Sequence, residues 1–471
     1  MLTQVNGFGP FQWTFIASFW LMVLPASFQV LIMYFLALQP GWRCATNSTT
    51  CTSNATFDSS NTFRCSIPRD DWEYTKPTHY SIVTHFDIYC DTEWLLDLST
   101  GIFFVGAGFG GLILGKVADT YGRKHVLFMS IGCLILIGLV SAFAPNIYVF
   151  ITMRCLSGVF YSGTLGQMMV MAVELVSPNR RPFAANSVWL FYSLALCIVA
   201  LKAYFIENWK IVLISCTAPY FVVILFYKQV PESVRWLALK GETDKINDIW
   251  KTIAKKNKRT LNLHMSCTST DCEKSSSVSS FANLFRTLSL GVTTVIQAYV
   301  WLITSMVYYG LSLTAEELGG SIYRNFALVS IMECPGHIAG AFLSNRFGRK
   351  KTAMIPMFCA AITCASIPFI PTTHSLRFVR VVFGMFGKFF ITTCYSCIYL
   401  WSAEIFPTSD RAKGIGLMQV FEMVGASCAP FVVMRMLSIN MTAPFVFLGA
   451  CGALASVLMV FLPETKWKQL A

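Results

Sequence analysis

Three ionisable side chains stand inside long apolar stretches of this sequence. Glu333 lies in Ile331-Met-Glu-Cys-Pro335, Lys388 in Gly387-Lys-Phe-Phe390 and Lys202 in Ala200-Leu-Lys-Ala203. A carboxylate or ammonium among apolar residues is costly unless it faces water, an opposite charge or a bound ion. Glu333 can therefore anchor a cationic ligand, or be neutralised inside the protein by Lys388 or Arg380. Lys202 is close enough to the end of its apolar run for its ammonium to snorkel to the surface. His337, four residues after Glu333, reads as a packing histidine. The chain has only six His, and no Ser/His/Asp, metal-ligand or phosphate-cradling cluster emerges. The chemistry on offer is binding; no covalent catalysis, cofactor or metal is expected.

A second set of charges is repeated. Gly115-Lys-Val-Ala-Asp-Thr-Tyr-Gly-Arg-Lys124 returns as Ala341-Phe-Leu-Ser-Asn-Arg-Phe-Gly-Arg-Lys350, with Asp119 and Asn345 226 residues apart. Each stretch reads as a tight polar loop between apolar runs, held at a membrane surface. Arg123 and Lys124 can pair with Asp119 or with a carboxylate ending a neighbouring run, a latch that can be made and broken. Asn345 brings no charge where the first copy has Asp119, so the second latch, with Arg349, is expected to be weaker or differently organised. Arg154 with Gly158 matches Arg380 with Gly384, Glu174 with Arg181 matches Glu404 with Arg411, and Pro231-Glu232-Ser233 matches Pro463-Glu464-Thr465. Glu174 with Arg181 and Glu404 with Arg411, joined by Glu232 and Arg235, read as gates and not as ligands. Four co-linear matches mark two related halves, the architecture of many secondary transporters.

The elements that must carry these residues follow from composition. Of 471 residues 55% are hydrophobic and only 13% charged, and the mean hydropathy is +0.57. That is too little charge to clothe a soluble surface of this size. The net charge of +12 is concentrated in loops, which points to membrane topology and away from nucleic acid. Apolar runs near the 20 residues needed to cross a bilayer fall at Phe11 to about Leu38, then 94–117, 125–144, 147–176, 183–206 and 209–229, and again at 291–313, 322–344, 350–371, 374–406, 411–437 and 441–462. The sequence thus predicts an all-α membrane protein of 12 transmembrane helices in two six-helix halves, 11–229 and 291–462. The Lys-rich linker 230–290 and residues 463–471 are assigned to the cytoplasm by their Lys and Arg, and residues 1–10 with them, because twelve spans put both termini on the same side. The polar stretch 39–92 is assigned to the exterior. It carries the sequons at Asn47 and Asn54 and four cysteines, Cys44, Cys51, Cys65 and Cys90, for which three pairings are possible. Cys267 and Cys272 in the linker read as reduced thiols, without the second ligand pair that zinc would need.

With these features in place the chain resembles the major facilitator superfamily, and within it the organic ion transporter family of organic cation, organic anion and carnitine transporters. The resemblance rests on the two repeated loops, Ile82-Val-Thr-His-Phe-Asp-Ile-Tyr-Cys90, Pro231-Glu-Ser-Val-Arg-Trp236, Tyr308-Tyr-Gly-Leu-Ser-Leu313, Leu318-Gly-Gly-Ser-Ile-Tyr323 and Ala403-Glu-Ile-Phe-Pro-Thr408. It implies the major facilitator fold, a multi-pass plasma-membrane protein, and alternating access to a central site for a small organic ion, with a coupling ion left open. It also implies aromatic lining from Trp301, Tyr308, Tyr309, Phe389 and Phe390, an acid at Glu333 as in the cation and carnitine branches, and a basic residue at Lys388. One position departs. In Val420-Phe-Glu-Met-Val-Gly-Ala-Ser-Cys-Ala-Pro430 the cation branch carries Asp, and the anion and carnitine branches Arg, where this chain has Met423. Glu422 is adjacent, but one residue turns a helix by about 100°, so it need not face the site. Organic cations or carnitine-like zwitterions are the expected substrates; an organic anion, or a facilitator-like sensor that moves nothing, is the alternative.

Overall fold

The structure is a computed structural model that describes residues 8–45, 51, 56–57, 62–177, 180–259, 284–315, 318, 320–371, 373, 376–407 and 410–466. Asn47, Asn54, Cys267 and Cys272 lie outside the described residues. Twelve described helices are long and apolar enough to cross a bilayer. In chain order, spans 1 to 6 are Pro10–Leu31, Cys90–Tyr121, Arg123–Ser141, Ile147–Glu174, Phe183–Phe205 and Trp209–Lys228. Spans 7 to 12 are Leu288–Leu313, Ile322–Phe347, Arg349–Phe369, Arg377–Ile405, Lys413–Leu437 and Ala443–Phe461. A lipid-facing backbone must satisfy its polar groups internally, which is why the apolar runs are helical from end to end.

The polar stretch Gly115–Lys124 is not a loop. Span 2 stays helical through Tyr121 and span 3 starts at Arg123, so the turn is Gly122 alone. Gly348 does the same between spans 8 and 9. Their φ angles of 102° and 94° lie where a Cβ is strained. The polar residues before each glycine therefore form the last helical turns and no loop.

Span 8 is interrupted. One helix ends at Ile331 and the next begins at Glu333, because Pro335 has no N–H for the carbonyl of Ile331 and its ring crowds that carbonyl. Glu333 thus sits in the first turn of a helix segment inside the membrane, where the partial positive charge of the helix start favours a carboxylate.

Packing repeats with an offset of six spans. Span 1 packs on span 5 as span 7 does on span 11, span 2 on span 4 as span 8 on span 10, and span 3 on span 6 as span 9 on span 12. Span 2 meets span 4 closely at Gly106 and Gly110, whose missing side chains admit the backbone of Cys155 and Val159. The halves meet where span 2 packs on span 11 and span 5 on span 8. The linker adds two short helices, Val234–Leu239 and Thr243–Lys256. On the opposite face, residues 39–92 contain an antiparallel sheet in the order β2-β1-β3, from Thr56–Phe57 (β2), Trp42–Cys44 (β1) and Trp72–Tyr74 (β3). Disulfides join Cys44 to Cys51 and Cys65 to Cys90.

Candidate functional site

Glu333 and Lys388 meet between the halves. Both side chains are fully buried, with Lys388 Nζ 3.1 Å from Glu333 Oε1. Tyr308 donates its hydroxyl to the same oxygen at 2.8 Å, and Ser193 of span 5 donates to Glu333 Oε2 at 2.8 Å. Ser193 comes from the first half and the other three from the second. Lys388 also donates to the Tyr308 carbonyl and to Ser312 Oγ, and its ammonium lies 3.2 Å from the centre of the Tyr308 ring. Every polar atom of this knot has a partner, as a buried ion pair requires.

A second carboxylate lies further along the same helices. Glu422 is 5% exposed and accepts hydrogen bonds from the hydroxyls of Tyr395 and Tyr399, the latter at 2.9 Å. Tyr395 and Tyr399 follow Lys388 on span 10 by seven and eleven residues, about 10 and 16 Å along the axis. Trp301 presents its edge to Tyr399 with ring centres 4.5 Å apart and is held by a hydrogen bond to Ser402 Oγ. Tyr308 links the two sites, its ring 5.5 Å from that of Tyr395. Among the described residues no lysine or arginine pairs with Glu422.

At the face that carries the linker, each half closes a charge cluster on its glycine turn. Glu232 accepts the backbone N–H groups of Arg123 and Lys124 at 2.9 and 3.0 Å, and Arg123 pairs with Glu174. In the second half Glu464 accepts those of Arg349 and Lys350 at 2.9 and 3.1 Å, and Arg349 holds Glu404 through two nitrogens. A carboxylate at a helix start meets unpaired N–H groups and the positive end of the helix dipole. Burial pushes the Glu464 pKa up, but the N–H groups of Lys466, Arg349, Lys350 and Thr465 more than offset it and hold the carboxyl below the usual carboxylate range.

The expected gate residues divide. Arg123, Glu174, Glu232, Arg349 and Glu404 are brought together as above, while the Lys124 ammonium lies over the Tyr227 ring at 4.2 Å. Asp119 and Asn345 are exposed, and among the described residues no hydrogen bond engages either side chain. Each lies on the helix ending before the glycine, turned away from the arginine; the carboxylates come from spans 4 and 10 instead. The second latch is accordingly no weaker for having Asn345. Arg235 is exposed, and neither it nor Arg181 nor Arg411 forms an ion pair among the described residues.

The expected ligand-facing residues divide too. Trp301, Tyr308, Glu333 and Lys388 belong to the two linked sites. Tyr309 packs on Phe104 of span 2 with ring centres 4.5 Å apart. Phe389 and Phe390 touch each other and are half-buried. Met423 faces span 2, where a Cβ on Gly108 would lie 3.5 Å from its own. That rotation aims Glu422, and not Met423, at the tyrosines. Lys202 does not snorkel; it donates to the Ser215 carbonyl at 2.6 Å. His337 packs, stacked on Trp189 of span 5 and hydrogen-bonded to Ser396. Sequence reasoning missed Ser193, Tyr395 and Tyr399, which carry no signal of their own. Two further residues do carry a signal: Glu422, an acid inside an apolar run that the sequence reading weighs only as the neighbour of Met423, and Glu464, which it names only as the repeat of Glu232.

Away from the linker, the halves touch through rings and backbone. Phe35 of the segment after span 1 stacks on Tyr323 of span 8 at 5.7 Å, Tyr34 on Phe326 at 5.0 Å, and Tyr204 of span 5 meets Tyr323 edge-on.

Comparisons with known proteins agree with this architecture. The family model "Sugar (and other) transporter" matches residues 29–471. Solute carrier family 22 member 3 of Rattus norvegicus is 32% identical over 397 residues, 84% of this chain and 71% of the relative. Organic cation/carnitine transporter 2 of Rattus norvegicus is 29% identical over 84% of this chain and 72% of the relative. The inward open conformation of the xylose transporter XylE from E. coli shares the fold with a TM-score of 0.70, at 16% identity and 98% coverage of both chains. The two six-span halves, the repeated latches and these matches place the chain in the sugar (and other) transporter family of the major facilitator superfamily, and within it in solute carrier family 22, whose members are membrane transporters of small molecules and not enzymes.

Proposed function

We propose that this chain carries small organic cations, or zwitterions with a cationic head such as carnitine-like compounds, across the plasma membrane by alternating access of its two halves. One observation carries the reading. Glu422 is a buried carboxylate whose partners among the described residues are hydroxyls, so a cation arriving there supplies the missing charge. The faces of Tyr395, Tyr399 and Trp301 add cation–π attraction of about 0.5–2 kcal/mol each. Rings tolerate many shapes, which suits a polyspecific carrier. Glu333 is already neutralised by Lys388 and acts as the fixed post between the halves. The organic cation and carnitine named for the Rattus norvegicus relative support the same substrate class.

In this reading both termini and the linker are cytoplasmic, and residues 39–92, with glycans at Asn47 and Asn54, face outward. The rings joining Phe35 and Tyr34 to Tyr323 and Phe326 are the outer closure, and they part when the site opens outward. The latches at Gly122 and Gly348 then hold each half rigid on the cytoplasmic side.

Uptake of labelled organic cations, zwitterions and anions into vesicles, with and without a sodium or proton gradient, tests the proposal. Saturable cation or zwitterion uptake is expected, falling at least about tenfold in Glu422→Gln. Uptake of anions alone, or of no organic ion, would sink it.

A further inference from the structure

The first half holds a buried charge that neither the latches nor the central site uses. Arg154, seven residues into span 4, is 2% exposed. Its guanidinium makes one hydrogen bond, from Nη1 to Gln29 Oε1 of span 1 at 3.2 Å. Nε and Nη2 have no partner among the described residues, nor has the neighbouring Gln29 Nε2. One face of the guanidinium lies over the Phe103 ring of span 2 at 4.6 Å. The Gln29 amide is seated by Gly138 of span 3, where a Cβ would stand 3.0 Å from Nε2. No carboxylate among the described residues pairs with Arg154.

A guanidinium does not shed its proton in a protein, and an uncompensated ion in a membrane interior is strongly disfavoured. A ring face offsets part of that cost but accepts no N–H directed elsewhere. The cluster has one positive charge and three idle donors, and it lacks an idle acceptor. Neutral water cannot cancel the charge. We propose that Arg154 and Gln29 bind a small monovalent inorganic anion, of which chloride is the abundant example, as a resident counter-ion of the first half. A substrate carboxylate is the poorer fit, because Gln29, Phe103 and Arg154 all belong to spans 1, 2 and 4, whereas the ligand-facing acid and rings belong to the second half.

Thermal unfolding of the purified full-length protein in detergent tests this, comparing sodium chloride and bromide with sodium gluconate at matched ionic strength. The unfolding temperature is expected to rise saturably with either halide, by roughly 2–5 °C at 100-fold excess over the dissociation constant, and to stay flat in gluconate. Gln29→Glu places a carboxylate beside the guanidinium and is expected to unfold at one temperature in all three salts, close to that of the wild type in chloride. Arg154→Gln should lose the halide effect as well. Equal unfolding temperatures of the wild type in halide and gluconate would overturn the proposal, as would a halide effect that survives in Gln29→Glu. None of these readouts depends on transport, so the proposal stands or falls apart from the substrate reading.

Discussion

Glu333 and Glu422 are both buried acids of the second half, joined through Tyr308 and Tyr395, yet their surroundings differ by one lysine. Glu333 has Lys388 at 3.1 Å, whereas the partners of the Glu422 carboxylate among the described residues are tyrosine hydroxyls. A paired acid is part of the scaffold, and removing either partner leaves a buried charge alone. An acid that no lysine or arginine pairs among the described residues is, in the proposed reading, the one that takes its counter-charge from the ligand. Burial and residue type are the same; the neighbour decides the role.

The largest expected effect breaks the pair. Lys388→Met should destabilise the protein by about 3–5 kcal/mol, read by thermal unfolding, while Lys388→Met combined with Glu333→Gln should recover most of that loss. If the single and double variants unfold alike, Glu333 is not neutralised by Lys388. A middle-sized effect probes the unpaired acid. Tyr399→Phe removes one hydroxyl from Glu422, costing about 1–2 kcal/mol of cation affinity, or a five- to thirty-fold rise in the concentration for half-maximal uptake. The same change should leave the unfolding temperature nearly unmoved.

The smallest effect extends the comparison to the surface, where Glu464 is compensated by backbone N–H groups. Its folded-state pKa lies below the ordinary 4.5. The stability it contributes is therefore complete above pH 4.5 and is lost as the pH falls below it. Glu464→Gln should flatten the acid limb of an unfolding-temperature profile below pH 4.5 and leave its shape above that unchanged. An unaltered acid limb would remove Glu464 from the latch.

Much of this was legible in the sequence. The twelve apolar runs and the 226-residue repeat name the fold, because hydrocarbon leaves the backbone few choices. Glu333 stood out as an acid at depth, and its internal pairing with Lys388 was one of two readings open. For Arg123 the sequence leaves two partners open, Asp119 or a carboxylate ending a neighbouring run, and the second is the one found; Asn345 likewise leaves Arg349 to Glu404. The helices run on to the glycines and bring Glu174 and Glu404 from other spans. Glu422 was set aside because residue 423 was the expected position. Its direction depends on the rotation of span 11 against Gly108, which spacing alone does not fix. The spacing of the four cysteines leaves three pairings open, and the structure joins Cys44 to Cys51 and Cys65 to Cys90.

The small sheeted module of residues 39–92 has a mechanical consequence. The Cys65–Cys90 bridge ties it to the start of span 2, Arg64 ties it to Gln39 and Glu93, and the His79 carbonyl accepts from the backbone of Trp209 at the head of span 6. It is bolted to the first half at spans 2 and 6, while Tyr80 reaches Tyr323 of the second. The module is thus a pointer fixed to one jaw and resting on the other. In the proposed alternating-access reading, a label on its exposed surface would travel with the first half and report the movement of one half against the other.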